Sequence, residues 1–113
     1  MSRKVYWILS DKLGEGDSEL GTLLMKNYIY SLARTEVVPE RVILMNAGIK
    51  LACEGSASLD DLRLLEEKGA LVRTCGTCLD FYGLRDKLAV GEAGNMPDAV
   101  AGMAGADDVV VLR

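Results

Sequence analysis

The sequence predicts an α/β domain built on a mainly parallel five-stranded sheet. Short runs rich in valine, isoleucine and aromatic residues recur along its 113 residues, separated by segments with helical spacing. Several of these runs are continuously apolar rather than alternating, the pattern of strands covered on both faces. Half of the residues are hydrophobic and two are proline, so the chain is not disordered. Its length suits a single domain over residues 1–113.

Lys4–Ser10 (KVYWILS) reads as the first strand, ending at the polar, glycine-bearing loop from Asp11 to Asp17. Asp17 or Ser18 caps a helix over residues 18–34, whose first turn carries Glu19. Leu20, Leu23, Leu24, Tyr28, Ile29 and Leu32 form its apolar stripe, and Tyr28 and Tyr30 face different sides, leaving one for a subunit contact. Pro39 lies in the return loop before the second strand, Arg41–Ala47. Gly48–Ala57 is irregular, with room for one helical turn. Ser58 opens the next helix, where Ser-x-x-Asp at 58–61 resembles a capping box. Leu59, Leu62, Leu64 and Leu65 are its buried stripe, and Gly69 suits its left-handed end. Ala70–Thr74 is the third strand, Leu79–Lys87 a short helix and Leu88–Glu92 a fourth strand. Asp98–Ala104 follows Pro97 as a glycine-interrupted helix, and Val109–Leu112 is the last strand. Crossovers in such a sheet are right-handed, and ligands bind beyond the carboxyl ends of the strands. The loops beginning at Asp11, Gly48, Cys75 and Ala93 collect there.

Composition removes whole classes of function. Thirteen basic against seventeen acidic residues give a net charge of −4, with no more than two adjacent basic residues. Such a chain has no electrostatic hold on nucleic acid or anionic lipid. Apolar runs such as Val42–Met45 and Val109–Leu112 are too short to span a bilayer. Met1-Ser2-Arg3-Lys4 leads straight into a strand without a cleavage signal, so the expected location is the cytoplasm. Histidine is absent, which excludes Ser-His-Asp and Cys-His catalysis and HExxH metal sites within this chain. Three cysteines cannot all pair, which argues against a secreted disulfide framework.

Cys75-Gly76-Thr77-Cys78 carries the strongest chemical signal. It sets Cys75 at a strand end and Cys78 in the first turn of a helix, where free N–H groups favour thiolate. Gly76 is expected to leave room for a ligand to approach the sulfur. Two other readings of the pair remain open: buried cysteines acting as small hydrophobes, and half a zinc site completed by Cys53, a carboxylate or another subunit. Neither a resident metal nor a cofactor is expected. Gly14-x-Gly16-x-x-x-x-Gly21 breaks the dinucleotide spacing, and Glu15, Asp17 and Glu19 would repel a pyrophosphate, so it reads as an ordinary turn. Cys53, Glu54 and Ser56 lie in the irregular loop, where Cys53 is either a packed thiol or a lip of the same pocket. Asp11 and Asn46, at the ends of the first two strands, either make turns or place polar groups beside the sulfur, and Thr77 lies within the motif. Glu66-Glu67-Lys68 reads as a solvated helix end.

Several stretches together resemble the DsrE-like sulfurtransferase family, most closely the DsrE-like half of YedF-type selenium-metabolism proteins. They are Gly-Glu-Gly-Asp-Ser-Glu-Leu-Gly at 14–21, Asn46-Ala47-Gly48-Ile49-Lys50-Leu51-Ala52, Glu54-Gly55-Ser56, and Asp86-Lys87-Leu88. The most specific is Cys75-Gly76-Thr77-Cys78-Leu79-Asp80-Phe81-Tyr82-Gly83-Leu84. The resemblance implies a three-layer α/β/α fold, small oligomers such as a homodimer or homotrimer, and a cysteine that carries sulfane sulfur as a persulfide. In relay members that cysteine lies eight positions before a glycine, which matches Cys75 and Gly83. Cys78 matches a second cysteine found in some branches. YedF-type proteins also carry a TusA-like domain, so the resemblance implies a TusA-like donor or acceptor, whether a separate protein or a segment outside this sequence. Three functions follow as expectations: a sulfur or selenium carrier on Cys75 with Cys78 resolving, a thiol–disulfide redox protein, and a non-catalytic oligomeric binding module. Replacing Cys78 separates the first two, because a carrier still loads Cys75 whereas a dithiol reductase stops.

Overall fold

The computed structural model describes residues 3–113, so the leader-free reading of Met1 and Ser2 lies outside the described residues. Five strands, β1 (Lys4–Ile8), β2 (Arg41–Leu44), β3 (Leu71–Cys75), β4 (Glu92–Gly94) and β5 (Asp108–Leu112), form one sheet in the order β4-β3-β2-β1-β5. Every neighbouring pair is parallel, as the continuously apolar runs require. Helices α1 (Ser18–Ala33), α2 (Leu59–Glu67), α3 (Gly76–Tyr82) and α4 (Met96–Ala104) connect them, with a 3-10 turn at Asn46–Ala52.

Partners across a parallel ladder share a face of the sheet, so the register sorts the side chains. Tyr6, Val42 and Val72 line one face, where Tyr6 packs on Tyr28 of α1 with ring centroids 6.3 Å apart. Trp7, Ile43 and Arg73 line the other, together with Arg41 beneath α4. A Cβ on Gly102 of α4 would lie 2.8 Å from Arg41 Cδ, so glycine is what lets this helix rest on the arginine stem. The fold is therefore helix, sheet, helix in three layers, and the core is centred on Val5, Ile8, Met25, Ile29, Leu44, Ile49, Leu62, Leu65 and Val72.

Several elements depart from the sequence expectation. β1 ends at Ile8 rather than Ser10, β2 ends at Leu44 rather than Ala47 because Asn46 and Ala47 enter the 3-10 turn, and α4 starts at Met96 rather than Asp98, with Asn95 as its cap. The buried row of α1 is Gly21, Met25, Ile29, Leu32 and Ala33, while Leu20 and Leu23 are each 53% exposed. The helix is held close to its preceding loop, where Leu13 N–H donates to Gly21 O at 2.9 Å, so the glycine and not the leucines faces inward. Asp17, rather than Ser18, caps α1 by accepting Leu20 N–H at 3.0 Å. The capping box at 58–61 does not form, because the Asp61 carboxylate instead accepts from Arg34 at 2.9 Å. Helix α3 starts three residues earlier than expected and ends at Gly83, whose φ of +66° closes the helix. Finally, β4 falls at Glu92–Gly94, because Leu88–Val90 packs against the 3-10 turn: Leu88 bridges Cys53, and Ala89 N–H donates to Ala52 O at 2.9 Å. The chain then turns at Gly91, φ +73°, where a Cβ would meet the Val72 carbonyl oxygen at 2.5 Å.

Candidate functional site

The CxxC occupies the junction between β3 and α3, at the carboxyl end of the sheet. Cys75 is the N-cap residue of α3, and its Sγ accepts the Cys78 N–H at 3.4 Å. A sulfur in the capping position takes the place that a serine or aspartate oxygen holds elsewhere. Cys75 is buried and Cys78 half-buried, and neither is in a disulfide. Burial pushes the Cys78 thiol above its ordinary range, helped by a hydrogen bond to Cys75 and opposed by the Asn46 N–H. That direction favours the protonated thiol at Cys78.

Asn46 is the residue that reaches the pair from another element. Its N–H donates to Cys78 Sγ at 3.2 Å, across 32 residues of sequence. It is also the one non-glycine residue with positive φ among the described residues, at +51°, a region that asparagine tolerates better than most. Tyr82, on the last turn of α3, donates its hydroxyl to Asn46 Oδ1 at 2.8 Å, and Lys50 Nζ lies 5.0 Å from the centre of the Tyr82 ring. The backbone that bonds Cys78 is thereby tied to the helix that carries Cys78.

The two cysteines line different spaces. Cys78 lines an open groove of about 440 Å³ with Leu9, Asn46, Thr77, Phe81 and Tyr82, and Phe81 is 85% exposed at its rim. Cys75 instead lines a small cavity on the α4 side of the sheet, with Arg41, Arg73, Asn95 and Asp98.

Of the other residues singled out from sequence, Asn46 and Thr77 share the groove with Cys78. Asp11 and Ser56 line a separate cleft with Lys26 and Lys50. Glu54 pairs with Lys87 at 3.7 Å. Cys53 is buried, donates its thiol to Ile49 O at 3.3 Å, and has its pKa pushed up by burial and by Glu54. Among the described residues, no three cysteine, aspartate or glutamate side chains converge as a metal-binding group. Gly76 does not leave open space at the sulfur: a Cβ there would lie 2.8 Å from Arg85 Nη2 and 3.1 Å from Gly94 O. Arg85 fills the position, donating to Gly76 O at 3.1 Å and to both oxygens of Asp80, at 2.6 and 3.2 Å. That hydrogen-bonded pair holds the Asp80 carboxyl below the usual carboxylate range. Sequence reasoning missed Tyr82, Arg41 and Arg73 as site residues. Their only local signal was position, with Tyr82 four residues after Cys78 on one helix and Arg73 two residues before Cys75 on one strand.

The architecture has counterparts among solved structures. The ychN protein from E. coli aligns with a TM-score of 0.70 at 20% identity, covering 99% of this chain and 100% of its own. MTH1491 from Methanobacterium thermoautotrophicum, described as a protein of unknown function, aligns with a TM-score of 0.64 at 20% identity, covering 98% of this chain and 99% of its own. The fold is DsrE-like. At such identity the likeness concerns the fold, and the DsrE-like architecture places the CxxC where β3 meets α3. No protein-family model and no curated protein matches the chain. Among the described residues no helix is long and apolar enough to cross a membrane.

Proposed function

We propose that the chain is a sulfur or selenium carrier that holds a sulfane atom as a persulfide on Cys75, with Cys78 as the resolving thiol. The observation that carries this reading is the placement of the pair. Cys75 ends β3 and caps α3, its Sγ accepting the Cys78 N–H at 3.4 Å, so the second thiol lies in the first turn of the helix that Cys75 opens. In loading, the Cys75 thiolate attacks the outer sulfur of a donor persulfide. A bond forms from Cys75 Sγ to that sulfur, and the donor leaves as its own thiolate. Only thiolate exchange is required, which suits a chain without histidine. The DsrE-like fold and the Cys75–Leu84 stretch support a relay between proteins, with a TusA-like protein as donor or acceptor. The exposed Phe81 beside Cys78 supports docking of such a partner at the groove, and the exposed Leu20, Leu23 and Leu24 on α1 support association into a dimer or trimer.

The test is transfer. Reduced protein is loaded from a sulfane-sulfur donor, freed of the donor, and offered an acceptor thiol, for wild type, Cys75→Ser and Cys78→Ser. A carrier delivers sulfur in wild type and in Cys78→Ser, and delivers none in Cys75→Ser. The closeness of the two cysteines also favours a second reading, a thiol–disulfide redox pair. In that case the wild type cycles to a Cys75–Cys78 disulfide without retaining sulfur, and Cys78→Ser stops.

A further inference from the structure

The cavity behind Cys75 has no part in the loading step. It offers about 30 Å³ and is partly open to solvent, above the roughly 10–15 Å³ that one water needs and far below the volume of an organic metabolite. Its charged lining is two guanidiniums, Arg41 and Arg73, against one carboxylate, Asp98. Asp98 Oδ2 accepts from Asn95 Nδ2 at 3.2 Å, a bond between two residues of the same lining. Arg73 Nη2 lies 3.7 Å from a Glu92 carboxylate that is 79% exposed, and its Nη1 donates to Val72 O. Arg41 Nε is buried without a hydrogen-bond partner, the Glu40 carboxylate being 4.0 Å away. A buried guanidinium N–H without an acceptor is uncommon in folded proteins, and Arg41 here lines the cavity that Cys75 also lines.

We propose that this cavity binds a single-atom chalcogenide anion, hydrosulfide or hydroselenide, as it leaves Cys75. The inference rests on the carrier reading above. When Cys78 resolves a Cys75 persulfide, its sulfur forms a bond to Cys75 Sγ and the bond from Cys75 Sγ to the sulfane atom breaks. The electron pair departs with the sulfane atom, which takes up the Cys78 proton and leaves as hydrosulfide. The two cysteine sulfurs are oxidised to a disulfide and the sulfane atom is reduced, with one negative charge on each side. The leaving atom thus appears beside Cys75, on the side where Arg41 and Arg73 line the cavity, and away from the groove of Cys78. A selenium atom follows the same course and leaves as hydroselenide.

The test follows the arginine Nε–H resonances of reduced, ¹⁵N-labelled protein during anaerobic titration with sodium hydrosulfide, with sodium chloride at equal ionic strength in parallel. The expected result is a saturable shift of Arg41 and Arg73 with hydrosulfide and only a linear drift with chloride. Arg73→Gln and, separately, Arg41→Gln weaken the hydrosulfide midpoint about tenfold or more, as expected for loss of one charged hydrogen bond. A linear response equal to that of chloride in wild type overturns the proposal, whatever the variants do. Persulfide loading is measured on the same preparation. Loading without saturable binding overturns the cavity and leaves the carrier, whereas saturable binding without loading overturns the carrier.

Discussion

Gly48→Ala tests how the site is anchored. Gly48 lies in the 3-10 turn that presents Asn46 to Cys78, and an added Cβ would overlap the carbonyl oxygen of Ile8. It would also sit 3.0 Å from the carbonyl carbon of Ile8 and 3.2 Å from Ser10 N. These are backbone atoms at the end of β1, so no side-chain rotation relieves the overlap. The same Ile8 oxygen accepts Met45 N–H at 3.0 Å, and displacing it strains that bond as well. Overpacking costs about 1–3 kcal/mol and a lost hydrogen bond about 1 kcal/mol, so the expected destabilisation is about 3 kcal/mol. The sign is decisive, because a glycine in roomy backbone gains about 0.4–1 kcal/mol on replacement by alanine. With a urea dependence of about 1.5 kcal/mol/M, the unfolding midpoint falls by about 2 M. The melting temperature falls by about 12 °C. Since the Asn46 N–H lowers the Cys78 pKa, the variant also alkylates more slowly at Cys78 at neutral pH. An unchanged or raised urea midpoint would refute this account of how the turn packs.

Leu79→Ala removes a fully buried side chain from α3 and destabilises by about 2–4 kcal/mol, read from urea unfolding. Arg34→Ala strips the partner from Asp61, which is 6% exposed, and costs about 1–3 kcal/mol, reduced by the exposure of the arginine. A double-mutant cycle with Asp61→Ala gives a loss smaller than the sum of the single losses if the pair is coupled. Cys78 sets a pH dependence. The folded state holds its proton more tightly than the unfolded chain, so its contribution is complete below the ordinary thiol range, about pH 8.5, and is lost as pH rises through its higher folded pKa. Urea midpoints should therefore fall with pH in the alkaline range, and less steeply in Cys78→Ser.

The sheet was legible because its strands are short apolar runs between glycine, aspartate and proline, and because parallel strands are apolar on both faces. The placement of the CxxC was legible for the same reason, since a motif that follows a strand and opens a helix has few places to go. What sequence spacing concealed was set by choices between competing residues. On α1, three leucines argue for one face and Gly21, Met25 and Ala33 for another, and close packing against the preceding loop selects the smaller set. Leu88–Val90 is apolar enough for a strand but is used to cover the 3-10 turn instead. Asp61 fits a capping box until Arg34, 27 residues away, takes its carboxylate. The bonds from Asn46 to Cys78 and from Tyr82 to Asn46 span 32 and 36 residues, and the register alone brings Arg41 and Arg73 to one face. No local periodicity encodes contacts of that range.

The central claim is that Cys75 carries the sulfane atom, and peptide mass spectrometry tests it most directly. Reduced wild-type protein is treated with a sulfane-sulfur donor, blocked with an alkylating reagent, digested and mapped, with Cys75→Ser alongside. The account predicts one added sulfur atom on Cys75 and none elsewhere in the wild type, absent from the variant. An added atom on Cys78 that persists in Cys75→Ser, a bare Cys75–Cys78 disulfide with no sulfur retained, or no adduct on either cysteine would contradict it.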